Sequence, residues 1–503
     1  MAGLKLIAIS SDSQEILQKF GNDSGIKFPL LSDPSSKVIE HFGLLNTAGK
    51  KGTRHEGISY PMTVLVDSNR IVKATIPGTV RERHNVELLL ETWAKVGKNL
   101  ETPETESPAK ASWSLLRGPN QGHAPEGISL PTEWSAKKNV AWKTDIPGSG
   151  WSSPIVDNGE IWLTTSIDSE KSLRAICVDQ ASGKIKFNVE VFQPGEFVEK
   201  HDRNGHATPT PVLDDQRVYV HFGSYGTAAL SRDDGSIIWT NQDTVIKHQW
   251  GPGSSPILHD DNLVFNCDGM DLRYVIALDK ETGKPVWKSD RSVKTKDDDF
   301  FRKAFSTPLV ASVNGESMLL SAGANQVSAL TTDSGEEVWN AEFFGYAGVT
   351  VPVAADGRVF VTSGYGDGSL MAIQLDDTKK HDSGELIWKT KQNAPIIPTP
   401  IVVGDELYMV SDKGIFTCLN ASNGKVNWRE RLPGNYASSI LYGDGKLFVS
   451  SDRGETHVIK PSKSKMKILA TNKLDSNIQA TAALVDNSII LRTKNSLYRI
   501  MEK

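Results

Sequence analysis

The sequence predicts a mainly β fold: an eight-bladed β-propeller of four-stranded blades, preceded by a small partial α/β domain. Three observations support this prediction. After position 112, groups of short apolar strands recur at a spacing of roughly 48 residues, close to the length of a propeller blade. A glycine turn followed by an aromatic residue marks most of these repeats. Residues 1–96 instead alternate strand-like and helix-like segments.

Composition narrows the function classes. The chain has 503 residues, 38% of them hydrophobic and 23% charged, which is typical of a folded protein with more than one domain. The net charge of −5 argues against nucleic acid as a main partner. We expect no membrane span, because no run of 18 apolar residues occurs. The first ten residues also lack the basic start and apolar stretch of a secretory signal.

The small first domain is predicted over residues 1–96. Residues 4–10 indicate a buried strand, and residues 84–96 place apolar side chains on one face of a helix. Residues 97–112 are rich in Glu, Thr, Ser and Pro without an apolar period, so we expect a flexible linker there. Residues 113–503 form the predicted propeller.

Two repeated signals define the predicted blades. The first is a turn followed by an aromatic residue on the outer strand, which we expect to pack between adjacent blades. The second is a proline-anchored strand, as in SSPIV, TPTPVL and STPLV. Together they give four strands per repeat and eight repeats. Because residues 139–144 resemble an outer strand with no blade before it, we expect them to complete the eighth blade and remove its exposed edge.

The loops before the proline-anchored strands predict a candidate site at the mouth of the central channel. A cationic and aromatic channel mouth fits a planar anionic ligand, since rings stack and Lys or Arg pairs with carboxylates. The alternative interpretation is that these residues close loops and bind water. The candidate residues are Trp151, His206, His248, Trp250, Lys303, Phe305, Asn435 and Tyr436, with Asp268, Asp271 and Arg273 in a neighbouring turn.

Metal and thiol chemistry have little support. His201 and His206 are spaced neither as a helical nor as a strand pair, so no metal site is predicted. Three widely separated cysteines, Cys177, Cys267 and Cys418, show no zinc-ligand spacing. We expect them to be small apolar residues on buried strands.

The repeat resembles the pyrroloquinoline-quinone (PQQ) type of eight-bladed propeller. IALDKETGKPVW at 276–287 matches that family's tryptophan-docking pattern AxDxxTGxxxW. The resemblance implies two kinds of relative: quinoprotein dehydrogenases that hold PQQ and Ca²⁺ in the channel, and outer-membrane assembly lipoproteins without a cofactor. The dehydrogenases carry a disulfide between adjacent cysteines, and no adjacent cysteines occur here.

Residues 4–96 resemble the later part of a redoxin of the peroxiredoxin/thiol-antioxidant family, which has a thioredoxin fold. The segments that carry this resemblance are LIAISSDSQEILQKF, KFPLLSDPSSKVIEHFG and GISYPMTVLVDSNRIVKA. Pro61 matches the family's cis-proline. The family's reactive cysteine lies on an earlier helix, and no cysteine precedes Cys177 here. Two explanations stay open: an N-terminally incomplete sequence, or a degenerate domain that only binds.

Three functional hypotheses follow. The first is a propeller that binds an unknown small molecule or protein at one face and is tethered to a redoxin-like domain without its catalytic cysteine. The second is a PQQ-dependent oxidoreductase of alcohols or sugars, with PQQ and Ca²⁺ as cofactors and Asp268 or Asp271 as base. The third is a cofactor-free scaffold. The resemblance implies a bacterial protein located in the periplasm or otherwise outside the cytoplasm.

Overall fold

A computed structural model describes residues 8–10, 14–23, 30–32, 62–66, 72–77, 112–296, 298–313, 316–375 and 384–502. The chain divides into two compact units, Met1–Ala109 and Lys110–Lys503. The two units are described separately below.

The first unit contains α and β elements, as predicted. Strands Ala8–Ser10 and Leu30–Ser32 pair in parallel, and helix Gln14–Asp23 lies between them in the chain. Strands Met62–Val66 and Val72–Pro77 form an antiparallel pair. The predicted cis-proline Pro61, the helix at 84–96 and almost all of the predicted linker lie outside the described residues.

The second unit is an eight-bladed propeller, which confirms the predicted fold class. Each blade is a four-stranded antiparallel sheet. From the innermost strand outwards, the first four blades are Ile155–Asp157, Glu160–Ile167, Ser172–Asp179 and Ile185–Phe192 (blade 1); Val212–Leu213, Arg217–His221, Thr227–Ser231 and Ile237–Asn241 (blade 2); Ile257–His259, Asn262–Asp268, Arg273–Asp279 and Pro285–Asp290 (blade 3); and Leu309–Val313, Glu316–Gly323, Gln326–Thr331 and Glu337–Glu342 (blade 4).

The remaining blades follow the same order, and a short extra ribbon adjoins blade 5. That ribbon pairs Gly345–Tyr346 with Tyr365–Gly366. The strands are Val353–Ala355, Arg358–Thr362, Leu370–Gln374 and Leu386–Thr390 (blade 5); Ile401–Val403, Glu406–Val410, Ile415–Asn420 and Val426–Arg431 (blade 6); Leu441–Gly443, Lys446–Ser450, Glu455–Lys460 and Lys467–Lys473 (blade 7); and Ala483–Val485, Ser488–Arg492, Ser496–Met501 and Val140–Asp145 (blade 8).

Burial explains why the strands differ in composition. The second strand of blade 1, Glu160–Ile167, is buried at nearly every position because neighbouring blades cover both of its faces. The outer strand Val140–Asp145 instead alternates half-buried and exposed residues. The inner strands therefore have continuous apolar runs, whereas the outer strands alternate apolar and polar residues.

The outer-strand aromatic residues pack between blades, which confirms the prediction. Trp142 of blade 8 lies on the turn glycine Gly183 of blade 1, where an added Cβ would come within 2.6 Å of the indole. Trp388 of blade 5 lies in the same way on Gly424 of blade 6, and its Nε1 donates a hydrogen bond to the Ala421 carbonyl (2.9 Å). Only glycine leaves room for the ring at these turns, so the repeated Gly and Trp form one docking device.

The ring closes through the strand at the start of the propeller. Val140–Asp145 pairs antiparallel with Ser496–Met501, with Thr144 opposite Leu497. This pairing confirms the predicted completion of blade 8 by an early strand.

A segment that the sequence analysis did not interpret crosses one face of the propeller. This strap, residues 112–134, exchanges two backbone hydrogen bonds between Trp113 and Val156 of blade 1 (2.7 and 2.9 Å). It then reaches blade 5 on the opposite side of the ring, where the Gln121 side chain exchanges two hydrogen bonds with the backbone of Ala354 (2.8 and 3.1 Å). It also contacts blade 7, where Ala124 donates to the Tyr442 carbonyl (2.7 Å). The strap therefore links blades that are distant around the ring and covers one end of the central channel.

Candidate functional site

A ring of hydroxyl groups surrounds the propeller axis where the innermost strands begin. In most blades the residue before the proline-anchored strand is Ser or Thr, and its hydroxyl oxygen accepts a hydrogen bond from the backbone N–H of the equivalent residue in the preceding blade. We call the set the hydroxyl ring. Its donor–acceptor pairs are Ser153–Thr210, Thr210–Ser255 and Ser255–Thr307 (each 2.9 Å), Val351–Thr399 (3.1 Å), Thr399–Ser439 (3.3 Å), Ser439–Thr481 (3.0 Å) and Thr481–Ser153 (3.0 Å).

One position interrupts the hydroxyl ring. Val351 of blade 5 has no hydroxyl group and therefore offers no acceptor to Thr307 of blade 4. Ala347 and Val349 of the same segment also line the channel. The blade 5 side of the channel is consequently apolar, whereas most other blades present a hydroxyl group to the axis.

The hydroxyl ring lines an axial cavity that opens on the face opposite the strap. The cavity has an empty volume of about 1110 Å³, counted to its solvent-filled mouth. Leu116 of the strap contributes to its lining. The part of the cavity that the centre of a water-sized sphere can occupy is about 180 Å³, similar to a cavity that holds one aromatic ring. The cavity is therefore large enough for a ring-sized group of a small molecule or of a polypeptide.

Aromatic side chains form one wall of the axial cavity. Trp151, Trp250, Phe305 and Tyr365 all line it. The rings of Trp250 and Phe305 stack with centroids 6.3 Å apart, and Tyr365 meets Trp250 edge-on at the same distance. Such a wall favours ring systems or bulky apolar groups.

Polar and cationic side chains also line the cavity, namely His201, Arg203, Asn204 and Gln479. His201 and Asn204 contact Trp250 of the aromatic wall, whereas Arg203 reaches towards blades 6 and 7. The Arg203 guanidinium donates a hydrogen bond to the Tyr436 carbonyl (3.2 Å), and another of its nitrogens lies 3.8 Å from an Asp412 oxygen. Burial raises the pKa of Asp412, and the nearby Arg203 partly opposes this shift.

Lys303 stands behind the aromatic wall rather than in the cavity. Its Nζ lies 4.1 Å from the ring centroid of Trp250 and 3.5 Å from that of Phe300, and it donates to Gln249. Burial lowers the pKa of Lys303 to about 8. The ammonium group on two ring faces holds Trp250 in place.

Three of the predicted site residues meet in the axial cavity, namely Trp151, Trp250 and Phe305. Two others are buried elsewhere. His206 stacks on Phe197 with ring centroids 4.1 Å apart. The Tyr436 side chain is fully buried, and its hydroxyl donates to the Pro433 carbonyl (3.0 Å). Both side chains pack the loops around the cavity instead of lining it.

Two further predicted residues, Arg273 and Asn435, hydrogen-bond to neighbouring loops and do not line the axial cavity. Arg273 donates to the carbonyls of Val293 (2.6 Å) and Ala324 (3.3 Å), which ties two loops together. The Asn435 amide donates to the Asp452 carboxylate (2.8 Å), and Asn435 lines a smaller pocket that adjoins the cavity near Arg203.

Of the remaining candidates, Asp268 and His248 line a second, smaller pocket, and Asp271 does not. Asp268 forms a buried ion pair with Arg291 (2.7 Å), with both side chains at most 2% exposed. His248 lines the same pocket, and burial lowers its pKa to about 4. Asp271 accepts hydrogen bonds from the Lys247 and Leu272 N–H groups (2.8 and 2.9 Å) and so closes a turn. Neither aspartate lines the axial cavity.

The donors around the axial cavity do not suit Ca²⁺. This ion takes six to eight oxygen ligands, usually including carboxylates. Among the described residues no carboxylate lines the cavity, and no group of three His, Cys, Asp or Glu side chains is placed to hold a metal. The three cysteines are buried free thiols on separate strands, as predicted.

Several cavity residues were not predicted. Arg203 and Asn204 belong to the same loop as His206, so the loop was identified but not the residues that face the cavity. Tyr365 lies in the extra ribbon beside blade 5, where the repeat pattern gives no signal. Within the part of the chain that the structure covers, no helix is long and apolar enough to cross a membrane.

Comparisons with known proteins agree with this architecture. The family model described as outer membrane protein assembly factor BamB matches residues 134–312, 271–381 and 378–496, which together exceed half of the chain. The model of the AhpC/TSA family matches residues 1–75.

Individual relatives match more distantly. The BamB of Yersinia pestis is 26% identical over 176 residues, which are 34% of this chain and 41% of the relative. The chain thus matches less than half of that protein's length. The BamB of Salmonella typhimurium is 26% identical over 343 residues, which are 57% of this chain and 82% of the relative.

Among solved structures, a europium-containing methanol dehydrogenase superposes with a TM-score of 0.57 and 11% identity, covering 80% of this chain and 91% of that one. At this identity the likeness concerns the fold alone. With eight blades, tryptophan docking and family matches over most of the propeller, the chain belongs to the PQQ-like repeat family described as outer membrane protein assembly factor BamB, with an AhpC/TSA-type segment before the propeller.

Proposed function

We propose that the propeller is a binding platform whose ligand enters the axial cavity. The observation that carries this proposal is the cavity itself: the strap covers one end of the channel, and the other end opens between an aromatic wall and Arg203. Surfaces that combine aromatic side chains with arginine are typical of binding sites.

Charge around the cavity favours an anionic ligand. Two arginines beside the channel, Arg117 and Arg492, are almost fully buried, and neither forms an ion pair within the described part of the chain. Arg117 Nη2 donates to the Pro400 carbonyl (3.0 Å), and Arg492 Nη1 donates to Ser152 and Thr164. Burial lowers the pKa of each guanidinium to about 9, so both remain protonated at neutral pH. Arg203 lines the cavity itself, so these three guanidinium groups place positive charge in and beside it.

A second candidate function is PQQ-dependent oxidation of an alcohol or sugar. The aromatic wall favours it, because a planar ring system stacks well on Trp151 and Trp250. The donor set argues against it, since the cavity offers no carboxylate for Ca²⁺. A cofactor-free scaffold that binds partners elsewhere is the third candidate, and it leaves the cavity unused.

The proposed binding function rests on the propeller and not on the AhpC/TSA-type segment. We propose that the protein works outside the cytoplasm, as its family suggests.

The proposal is tested by comparing ligand selection with and without an open cavity. Ala437, which lines the cavity, is replaced by Trp to fill it; Ala181→Trp, in an exposed turn of blade 1, is the matched control. Random displayed peptides and PQQ, with and without Ca²⁺, are offered to each protein. We expect enrichment or a thermal shift with wild type and Ala181→Trp, and its loss with Ala437→Trp.

Each other outcome changes the conclusion. Equal selection by all three proteins contradicts the axial site and supports the scaffold hypothesis. A Ca²⁺-dependent thermal shift with PQQ, together with reduction of a redox dye in the presence of alcohols or sugars, supports the oxidoreductase hypothesis instead.

A further inference from the structure

Three residues of the aromatic wall, Trp250, Phe305 and Tyr365, belong to a larger aromatic patch of seven connected rings. Phe301 and Tyr346 are 4.9 Å apart, Phe300 and Tyr346 5.4 Å, and Trp250 and Phe300 5.8 Å, with edge-to-face geometry in each case. Edge-to-face packing of this kind stabilises a rigid surface. The members of the aromatic patch are Trp250, Phe300, Phe301, Phe305, Phe344, Tyr346 and Tyr365.

The aromatic patch extends from inside the cavity to the outer surface. Trp250, Phe305 and Tyr365 line the cavity, whereas Phe344 does not. Tyr365 is 44% exposed and Phe344 is 37% exposed. A small molecule held in the cavity would leave Phe344 uncovered. A ligand that uses the whole patch must therefore reach from the axis across the rim, which favours a polypeptide.

The backbone near the aromatic patch keeps its exposed rings in place. The ribbon formed by Gly345–Tyr346 and Tyr365–Gly366 stacks Tyr346 on Tyr365 with centroids 5.8 Å apart. Gly345 lies so close to the Ser363 carbonyl that a side chain would not fit. The exposed rings are thus held by the fold before a ligand arrives, which limits the entropy lost on binding.

Cations border the aromatic patch at both ends. Lys296 places its ammonium group 4.5 Å from the Phe344 ring centroid and 5.0 Å from that of Phe301. Within the described residues Lys296 forms no ion pair, and Arg203 has only the 3.8 Å contact with Asp412. A segment that covers the aromatic patch would therefore bring its neighbouring side chains close to Lys296 outside and to Arg203 inside.

We propose that the axial cavity and the aromatic patch together bind an extended acidic peptide segment with one bulky apolar side chain. The apolar side chain enters the cavity against Trp250 and Phe305, and acidic residues on either side of it face Arg203 and Lys296. This inference rests on the proposed binding function and specifies its ligand.

The test uses fluorescence anisotropy with the full chain and three fluorescein-labelled nonapeptides. The first has a central phenylalanine between pairs of glutamates, the second has alanine in place of the phenylalanine, and the third has lysines in place of the glutamates. We expect saturable binding of the first, with the alanine and lysine peptides at least about tenfold weaker.

Variants then locate the bound peptide. Phe344→Ala is expected to weaken binding of the first peptide about tenfold, and Lys296→Gln about fivefold with a smaller dependence on salt. Both residues lie at the surface, so folding should be preserved, which circular dichroism checks. Ile238→Ala, at an exposed aliphatic residue on the outer strand of blade 2, is the matched control and should bind as wild type does.

Specific results would overturn the inference. Equal binding of the three peptides would show that neither the central phenylalanine nor the negative charge of the glutamates contributes to binding. Unchanged binding in Phe344→Ala and Lys296→Gln removes the role of the aromatic patch. If displayed peptides or PQQ bind in a way that Ala437→Trp abolishes, but the phenylalanine–glutamate peptide does not bind, the proposed function stands and only the ligand class is wrong. If nothing depends on the cavity, both are wrong.

Discussion

The hydroxyl ring predicts a measurable stability cost for the loss of one hydroxyl group. In Thr481→Val the side chain keeps its shape, but the Ser439 N–H loses the oxygen that accepts its hydrogen bond at 3.0 Å. Thr481 is 4% exposed and Ser439 is 7% exposed, so water replaces the lost acceptor poorly. A buried donor left without a partner costs about 1–3 kcal/mol.

The size of the propeller sets the expected change in melting temperature. For a unit of about 390 residues, the unfolding entropy is about 0.8 kcal/mol/K if the ring unfolds cooperatively. A loss of about 1–3 kcal/mol then lowers the melting temperature by about 1–4 °C. Scanning calorimetry resolves such a shift, and urea unfolding followed by tryptophan fluorescence gives the free energy independently.

Two further variants make this prediction stringent. Thr240→Val, at an exposed position of the blade 2 outer strand, is the matched control and should change stability by less than about 0.5 kcal/mol. Val351→Thr restores the missing acceptor for Thr307 and should stabilise the propeller by up to about 1 kcal/mol. Our reasoning would be refuted if Thr481→Val had the same melting temperature as Thr240→Val, or if Val351→Thr were as destabilising as Thr481→Val.

Three other predictions concern packing, charge and pH. Gly183→Ala should lower the free energy of unfolding in urea by about 2–4 kcal/mol, because the added Cβ meets the Trp142 ring. Gly404→Ala is the control: its φ is +59° but the space around it is open, so it should cost only about 1 kcal/mol. Equal costs would argue against tryptophan docking. Asp268→Asn should lower the free energy of unfolding by about 3–5 kcal/mol, because it leaves Arg291 buried and unpaired. Combining Asp268→Asn with Arg291→Met should recover most of this stability. A double variant as unstable as the single one would contradict the prediction. Burial lowers the pKa of His221 to about 3, so as pH falls below about 6.5 the unfolded chain binds a proton that the folded chain does not, and the free energy of unfolding decreases. His221→Gln should make the fall in the free energy of unfolding shallower by about 1.4 kcal/mol per pH unit between about pH 5.5 and 4. Parallel pH profiles for the variant and wild type would rule the effect out.

The fold was predictable because its contacts repeat. Each docking contact needs a glycine in one blade and an aromatic residue in the preceding one, so a pair such as Trp142 and Gly183 recurs around the ring and is visible as a period. The closing strand Val140–Asp145 was predictable for the same reason, since it has the outer-strand pattern without a blade before it.

The candidate site was only partly predictable because it depends on how loops turn. The sequence identified the loop that carries His206, but the direction of each side chain depends on non-repeating contacts. Phe197 draws His206 into the loop core, and Arg203 of the same loop reaches the cavity. The strap was missed for a related reason: residues 112–134 have neither a strand period nor a helix period, and their hydrogen bonds are to distant blades.

The closure of blade 8 has a consequence for how the protein is made. Ser496 donates a side-chain hydrogen bond to Asp145, which lies 351 residues earlier in the chain. During synthesis the strand that contains Asp145 emerges early and must wait, with its edge exposed, until its partner leaves the ribosome. Blades 1–7 can each form from residues that are close in the chain, but the ring cannot close until strand Ser496–Met501 has been synthesised. Removing strand Ser496–Met501 should therefore yield an open arc prone to self-association, so that the ring closes only after both partner strands of blade 8 have been made.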